Sequence, residues 1–257
     1  MHRRAVLTAA AGLLVACRAD GRDRVQAARE RLGTTLKDRA KAVSAPWPPR
    51  EVFVRACKHD QDGGKGHVEV FVGNARAPLV PFLRHPLCAL SGAMGPKRQE
   101  GDLQIPEGFY GITALNPRST FHLSLRVDYP NDADRRRGVQ RQQTAPLGGD
   151  IMVHGDCVTI GCLPIEDEPI EEVYLTVAEV FGTQRRVPIH IFPRPLPDDG
   201  ALQTLLATLP EAGADPLADE TRQLWQELAV GYRAFEETKR VPRTSVDAAG
   251  RYVVRAA

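Results

Sequence analysis

A histidine and a cysteine, His154 and Cys162, stand close together in the run Ile151-Met152-Val153-His154-Gly155-Asp156-Cys157-Val158-Thr159-Ile160-Gly161-Cys162. A second thiol, Cys157, and a hydroxyl, Thr159, lie between them. A thiol attacks a carbonyl as its thiolate, so it needs a base to take its proton and a partly open setting for the anion. Cys162 has the type and position of the nucleophile, and His154 those of its base. Gly161 leaves no side chain beside the sulfur, so the backbone N–H groups of Gly161 and Cys162 are the expected place for an oxyanion. Metal binding is the competing chemistry: His154, Cys157 and Cys162 are all zinc-ligand types, but no fourth ligand stands at a recognisable spacing. Buried structural thiols are the third reading.

Such a pair must be held by regular elements. Residues 25–43 carry Val25, Ala28, Leu32, Leu36, Ala40 and Val43 on a charged background, which predicts an amphipathic helix. Trp47-Pro48-Pro49 ends it. Short β-type runs follow at 52–55, 67–72, 109–115, 121–127, 150–154, 173–180 and 187–192, several alternating as Phe121-His122-Leu123-Ser124-Leu125 does. A mostly antiparallel sheet system is expected, closed by the prolines of 193–197. The tail has one helical face at Leu202, Leu205, Leu206 and Leu209 and another at Leu224, Trp225 and Leu228, continued by Tyr232 and Phe235. It is too short to bury much alone, so it should pack on the sheet. The Arg135-Arg136-Arg137 cluster with Arg141 reads as a solvated loop, with guidance of an anionic polymer as the functional alternative.

The N-terminus carries His2-Arg3-Arg4, an apolar stretch over 5–16, and then Leu14-Val15-Ala16-Cys17. That stretch is too short to span a bilayer and reads as a signal peptide, with Arg3-Arg4 also compatible with twin-arginine export. The end of it resembles a bacterial lipobox, which would make Cys17 the lipidated first residue of the mature chain. The expected location is the periplasm, membrane-anchored by lipid. No later run is long enough for a further span. A formal net charge of +2 with 26% charged residues gives no field that argues for nucleic acid, and 42% hydrophobic residues suffice for a core. Beyond Cys17, the cysteines are Cys57, Cys88, Cys157 and Cys162. With Cys162 catalytic, an odd number remains in an oxidising compartment, so a further thiol is unpaired or Cys157 and Cys162 exchange states.

His154-Gly155 followed by Thr159-Ile160-Gly161-Cys162 resembles the signature of the L,D-transpeptidase catalytic-domain (YkuD-like) family of bacterial cell-wall enzymes. With Cys157 in the extra cysteine position, it is closer still to the YafK/DpaA-like subgroup. Ser91-Gly92, the block from Gly95-Pro96-Lys97 through Glu100-Gly101-Asp102, and Pro106-Glu107-Gly108-Phe109-Tyr110 extend the resemblance, as do Tyr129-Pro130-Asn131 and 188–193. It covers about residues 52–195. Ile160 and Pro164 depart from the wider family, which often has His two before the nucleophile and Arg or Asn two after it. Both would shape the acceptor side of the pocket.

The resemblance implies a mainly β fold with α additions, a β-sandwich-like catalytic domain with a helical C-terminal appendage. The division would be signal peptide 1–16, helical linker 17–50, catalytic domain 51–196 and appendage 197–257. It implies attack by Cys162 on a meso-diaminopimelate carbonyl of a peptidoglycan stem peptide, with His154 as base and the Gly155 carbonyl holding its tautomer. Thr159 and Gly161 would support the nucleophile, and no cofactor is required. Hydrolysis, an amidase releasing murein-linked lipoprotein or peptide, is favoured over cross-linking. The alternatives are a cross-linking transpeptidase and a non-catalytic lipoprotein. Lys97, Glu100, Asp102 and Glu107, in a loop shaped by Gly95, Gly101 and Gly108, are substrate-binding candidates, with a structural turn the equal alternative. Tyr110 is a further candidate near the acyl group, although an aromatic on a strand is more often packing. Lys58 is placed facing the cleft, and His190, between Ile189 and Ile191, on the outward face of a strand.

Overall fold

The computed structural model describes residues 21–74, 77–255 and 257. The signal segment and Cys17 lie outside them. Strands β1 (Glu51–His59), β2 (Lys65–Gly73), β3 (Val80–Pro86), β4 (Gly108–Asn116), β5 (Ser124–Val127), β6 (Met152–His154), β7 (Leu163–Pro164) and β8 (Val187–Phe192) form one eight-stranded sheet in the order β3-β2-β1-β8-β4-β5-β6-β7. Only β1/β8 and β6/β7 run parallel. The mostly antiparallel, sheet-rich architecture agrees with the alternating runs in the sequence.

Both faces of the sheet are covered, which is why β1 is buried almost without interruption. One face, with Val54, Ala56, Val70, Ile112, Leu125, Val153 and Ile189, packs under α3 (Asp167–Phe181) and α1 (Gly21–Ala42). The stripe on α1 is buried as its spacing predicts: Ala28, Leu36 and Ala40 are in the core, with Val25, Leu32 and Val43 packed against it. Arginines of α1 face acids of α3, in the pairs Arg29–Glu179, Arg31–Glu171 and Arg39–Glu172. The opposite sheet face is covered by α4 (Asp199–Leu206) and α5 (Pro216–Thr238), whose Leu205, Trp225, Leu228, Tyr232 and Phe235 meet Phe53, Cys57, Phe71, Phe109 and Phe192. The tail thus packs on the sheet.

Several expectations are corrected. Residues 173–180 are helical within α3, not a strand. Their β-branched content suggested a strand, but Ile170, Val173, Tyr174, Val177 and Val180 recur at three and four residues, and Asp167 and Glu168 fill the first turn. The arginine cluster lies on α2 (Asp132–Gln140), started by a capping box between Asn131 and Asp134. Arg137 is buried, bonded to the Gly250 carbonyl and to Glu227, and Arg141 is paired with Glu220, so neither is free to meet a polymer. The tail is not wholly helical: it ends in a hairpin of β9 (Arg243–Val246) and β10 (Tyr252–Arg255).

His190 does not face solvent. It is 3% exposed among the rings of Phe53 and Phe109, 4.8 and 4.6 Å away, because the tail covers that sheet face. Burial pushes its imidazole down to about 3, with Arg186 and Arg55 adding to the shift. Lys58 does not face a cleft either. Its ammonium is buried, bonded to Glu107 at 3.0 Å and to the carbonyls of Gly95 and Ile105.

Candidate active site

The β5–β6–β7 end of the sheet carries the site. His154 is the last residue of β6 and Cys162 immediately precedes β7, with Val153 paired to Leu163 and His154 to Pro164. The parallel pairing turns an eight-residue loop back on itself and sets the thiol beside the strand that ends in the imidazole. Gly155 is required there: a Cβ would come 2.5 Å from Asp167 Oδ1 and 3.1 Å from Ile170 Cγ2, at the start of α3. Gly161 is required too, with φ +132° and a Cβ that would meet the Gln104 carbonyl at 3.0 Å.

The loop between the two is pinned at its centre. Cys157 is disulfide-bonded to Cys88, with Cα atoms 5.4 Å apart. This takes Cys157 out of any zinc set with His154 and Cys162, and closes a long loop that favours the folded state by about 4 kcal/mol in the chain-entropy account. Cys57 is free and fully buried, and burial pushes its thiol far up. Non-glycine residues with left-handed backbone gather around the site: His122, Asp150, Asp156 and Glu166, with φ of 66°, 53°, 61° and 66°. Such conformations persist only where their surroundings enforce them.

His154 is 1% exposed, and its Nδ1 donates to the Gly155 carbonyl at 2.5 Å. That bond fixes the proton on Nδ1 and leaves the Nε2 lone pair as the acceptor, the tautomer a general base needs. Burial pulls its pKa below the ordinary histidine value, against the opposing effects of the Gly155 carbonyl and Asp156. Cys162 is half-buried, and its Sγ lies 3.7 Å from the Asp150 carbonyl. Burial pushes this thiol up and Asp150 adds to it, outweighing a backbone hydrogen bond from Met152 and the charge of Lys97. Among the described residues no hydrogen bond joins Sγ to the imidazole. Burial thus favours the protonated thiol at Cys162 and the neutral imidazole at His154.

The sign of these shifts gives a test. A thiol held above its usual pKa gains reactive thiolate throughout the neutral range, so alkylation of Cys162 by iodoacetamide, read on its own peptide by mass, should rise about tenfold per pH unit from about pH 6 to about pH 9. A plateau near neutrality would reveal a stable thiolate–imidazolium pair instead.

Thr159 organises the backbone around Cys162. Its Oγ1 accepts from the N–H groups of Gly161 and Cys162 at 3.2 and 2.8 Å and donates to the Cys162 carbonyl at 2.9 Å. The two N–H groups expected to face an oxyanion are thus engaged by the threonine hydroxyl.

An open cleft of about 290 Å³ runs from Cys162 past Ile160, Leu103, Lys97 and Glu100 to Asp150. Of the substrate-binding candidates, Lys97 and Glu100 line it. Asp102 is occupied in shaping the loop. Its carboxylate accepts from the N–H groups of Arg98, Gln99 and Gln104 and from Lys97 Nζ at 2.7 Å, and these bonds outweigh burial to hold its pKa below the usual value. Glu107 and Tyr110 lie in the interior. Glu107 bonds Lys58 and Trp225 Nε1, and the Tyr110 hydroxyl bonds Asp134 and the Glu107 carbonyl. Asp150 and Phe121 escaped the sequence reading. Phe121, at the start of the alternating run 121–127, precedes β5, and its ring lies 4.8 Å from that of His154.

No protein-family model matches the chain. In Escherichia coli strain K12 and in strain O157:H7, "Putative L,D-transpeptidase YafK" is 34% identical to it over 172 residues, 65% of this chain. The match spans 61% of those relatives' length. Among solved structures, the helical cell shape determining protein Pgp2 from Campylobacter jejuni aligns with a TM-score of 0.42 at 16% identity, covering 78% of this chain and 74% of that one. Across those 172 residues the chain is a homologue of YafK.

Proposed function

We propose that this protein is a cysteine-dependent enzyme of the L,D-transpeptidase type that acts at meso-diaminopimelate carbonyls of peptidoglycan stem peptides, exported and lipid-anchored through Cys17. The observation that carries the reading is the His154 tautomer. With Nδ1 tied to the Gly155 carbonyl, Nε2 is left as a neutral base on β6, whose parallel neighbour β7 follows directly on Cys162, a residue that lines an open cleft. The homology to YafK supports the same class. Cys162 Sγ bonds the carbonyl carbon while its proton passes to His154 Nε2. The amine then leaves with that proton, and a thioester remains. His154 next takes a proton from water, whose oxygen bonds the carbonyl carbon and expels the thiolate, which recovers the proton as the free acid forms.

Hydrolysis is favoured over cross-linking. The cleft beside the thiol is at the lower end of small-ligand pockets, and although Lys97, Glu100 and Asp150 line it, Ile160, which is 78% exposed, adds no polar anchor for a second peptide. Transfer to an amine needs such a second pocket to compete with water. The test incubates the protein with purified sacculi, with and without attached lipoprotein, plus excess acceptor peptide, and identifies products by mass. Free carboxylates should dominate. Cross-linked product forming faster than free acid reverses the preference, and no product of either kind removes the enzyme reading.

A further inference from the structure

Phe121 is 37% exposed, yet its ring lies tilted 32° against the imidazole of His154, with the centroids 4.8 Å apart. An apolar side chain left partly open to solvent and set on a buried base calls for an explanation. The turn that presents it is held from both sides. Within the turn, Phe121 N–H donates to Ser119 Oγ, and His122 has left-handed backbone. On one side, Arg24 of α1 donates from Nη1 to the carbonyls of Ser119 at 3.1 Å and His122 at 2.9 Å. On the other, His122 Nε2 meets Glu171 of α3 at 2.8 Å, and Glu171 is in turn paired with Arg31 of α1. Helix α1, distant in sequence from the site, thus braces the residue that covers the base.

We propose that Phe121 is a positioning residue for His154, an apolar cover that keeps water off the imidazole and fixes its ring plane, and that α1 holds the cover in place through Arg24. The proposal deepens the enzyme reading and rests on His154 as the base. An aromatic ring against the imidazole removes solvation that the charged form needs, so it keeps His154 neutral and proton-accepting to lower pH. The burial that lowers the His154 pKa fits this. Asp156 on the following loop acts on the ring, and the titratable groups on the elements packed around it are Asp167 at the start of α3, the His122–Glu171 pair behind the turn, and Cys162. None of them is removed with Phe121, so a shift on its loss reports the cover.

The experiment titrates the histidine ring signals of the full chain by NMR, with His154 assigned from the spectrum of His154→Gln. It is run on wild type, Phe121→Ala, Phe121→Leu and Arg24→Ala, with melting temperatures to establish that each is folded. Phe121→Ala should raise the His154 pKa by roughly one unit, Arg24→Ala should raise it in the same direction, and Phe121→Leu should stay near wild type. The acid limb of the kcat/KM profile should move up with it. An unchanged His154 pKa in folded Phe121→Ala overturns the proposal, and a shift in Phe121→Ala without one in Arg24→Ala overturns the part assigned to α1. Because the titration needs no turnover, variants that show the shifts while the wild-type protein forms no product refute the enzyme reading and leave the positioning of His154 intact.

Discussion

Cys162→Ala and His154→Ala should each reduce turnover on sacculi by about a thousandfold or more, and Cys162→Ala should abolish the acyl-enzyme seen by mass. Groups that act as one unit lose nearly everything when either is removed. The electrostatics sharpen the expectation. Because burial raises the Cys162 thiol and lowers the His154 imidazole, it disfavours a stored thiolate that could react when the base is gone. His154→Ala should therefore be as damaging as loss of the sulfur at neutral pH, and its residual rate should climb with pH as hydroxide deprotonates the thiol. Cys157→Ala is the control: it breaks the bond to Cys88 and loosens the loop, but leaves nucleophile and base in place, so measurable activity should remain at a lower melting temperature. Full turnover by the Cys162 variant would exclude the thioester route.

That His154 and Cys162 come to the same end of the sheet was legible because they are close in the chain. His154 and Cys162 are joined by one short loop, and Gly155 and Gly161 mark the two places where backbone or side chains approach too closely for a Cβ. The helix stripe of α1 was legible for a similar reason, since one face of one element carried the whole signal. Legibility failed where two elements decide a residue's surroundings. His190 alternates with isoleucines and looked outward, but the direction of a strand residue says nothing about whether a second layer covers that face. Lys58, just after an expected strand, and Glu107, in a glycine-shaped loop, read as cleft or turn residues, and Tyr110 as either a hydroxyl near the acyl group or packing. Here they meet one another, or Trp225 and Asp134, in the interior. Phe121 was hidden for the opposite reason. It belongs to an alternating run, and only its turn, held by an arginine from α1, lifts it out of the core and onto the imidazole. The Cys88–Cys157 pairing also joins distant segments, and no local spacing predicts it.

Glu107→Ala should cost about 3–5 kcal/mol of stability, and the loss should appear in the free protein with no substrate present. Glu107 is 1% exposed, with one carboxylate oxygen on Lys58 Nζ at 3.0 Å and the other on Trp225 Nε1 at 2.6 Å. Truncation leaves an ammonium that is itself 1% exposed without its counter-charge, and an indole N–H without its acceptor, in a position water does not easily reach. For a chain of this size the expected fall in melting temperature is about 10 °C. Removing the ammonium as well should recover part of the loss, because a buried ion pair stabilises little over an apolar pair of similar shape; the double variant Lys58→Met with Glu107→Leu should therefore melt above Glu107→Ala. The same measurement separates the two roles the sequence allowed for this glutamate. A residue that binds substrate changes KM and leaves the melting temperature of the free protein near wild type. A residue that joins β1, β4 and α5 through one carboxylate lowers the melting temperature first. If Glu107→Ala melts like wild type and raises KM, the interior role assigned to it is wrong.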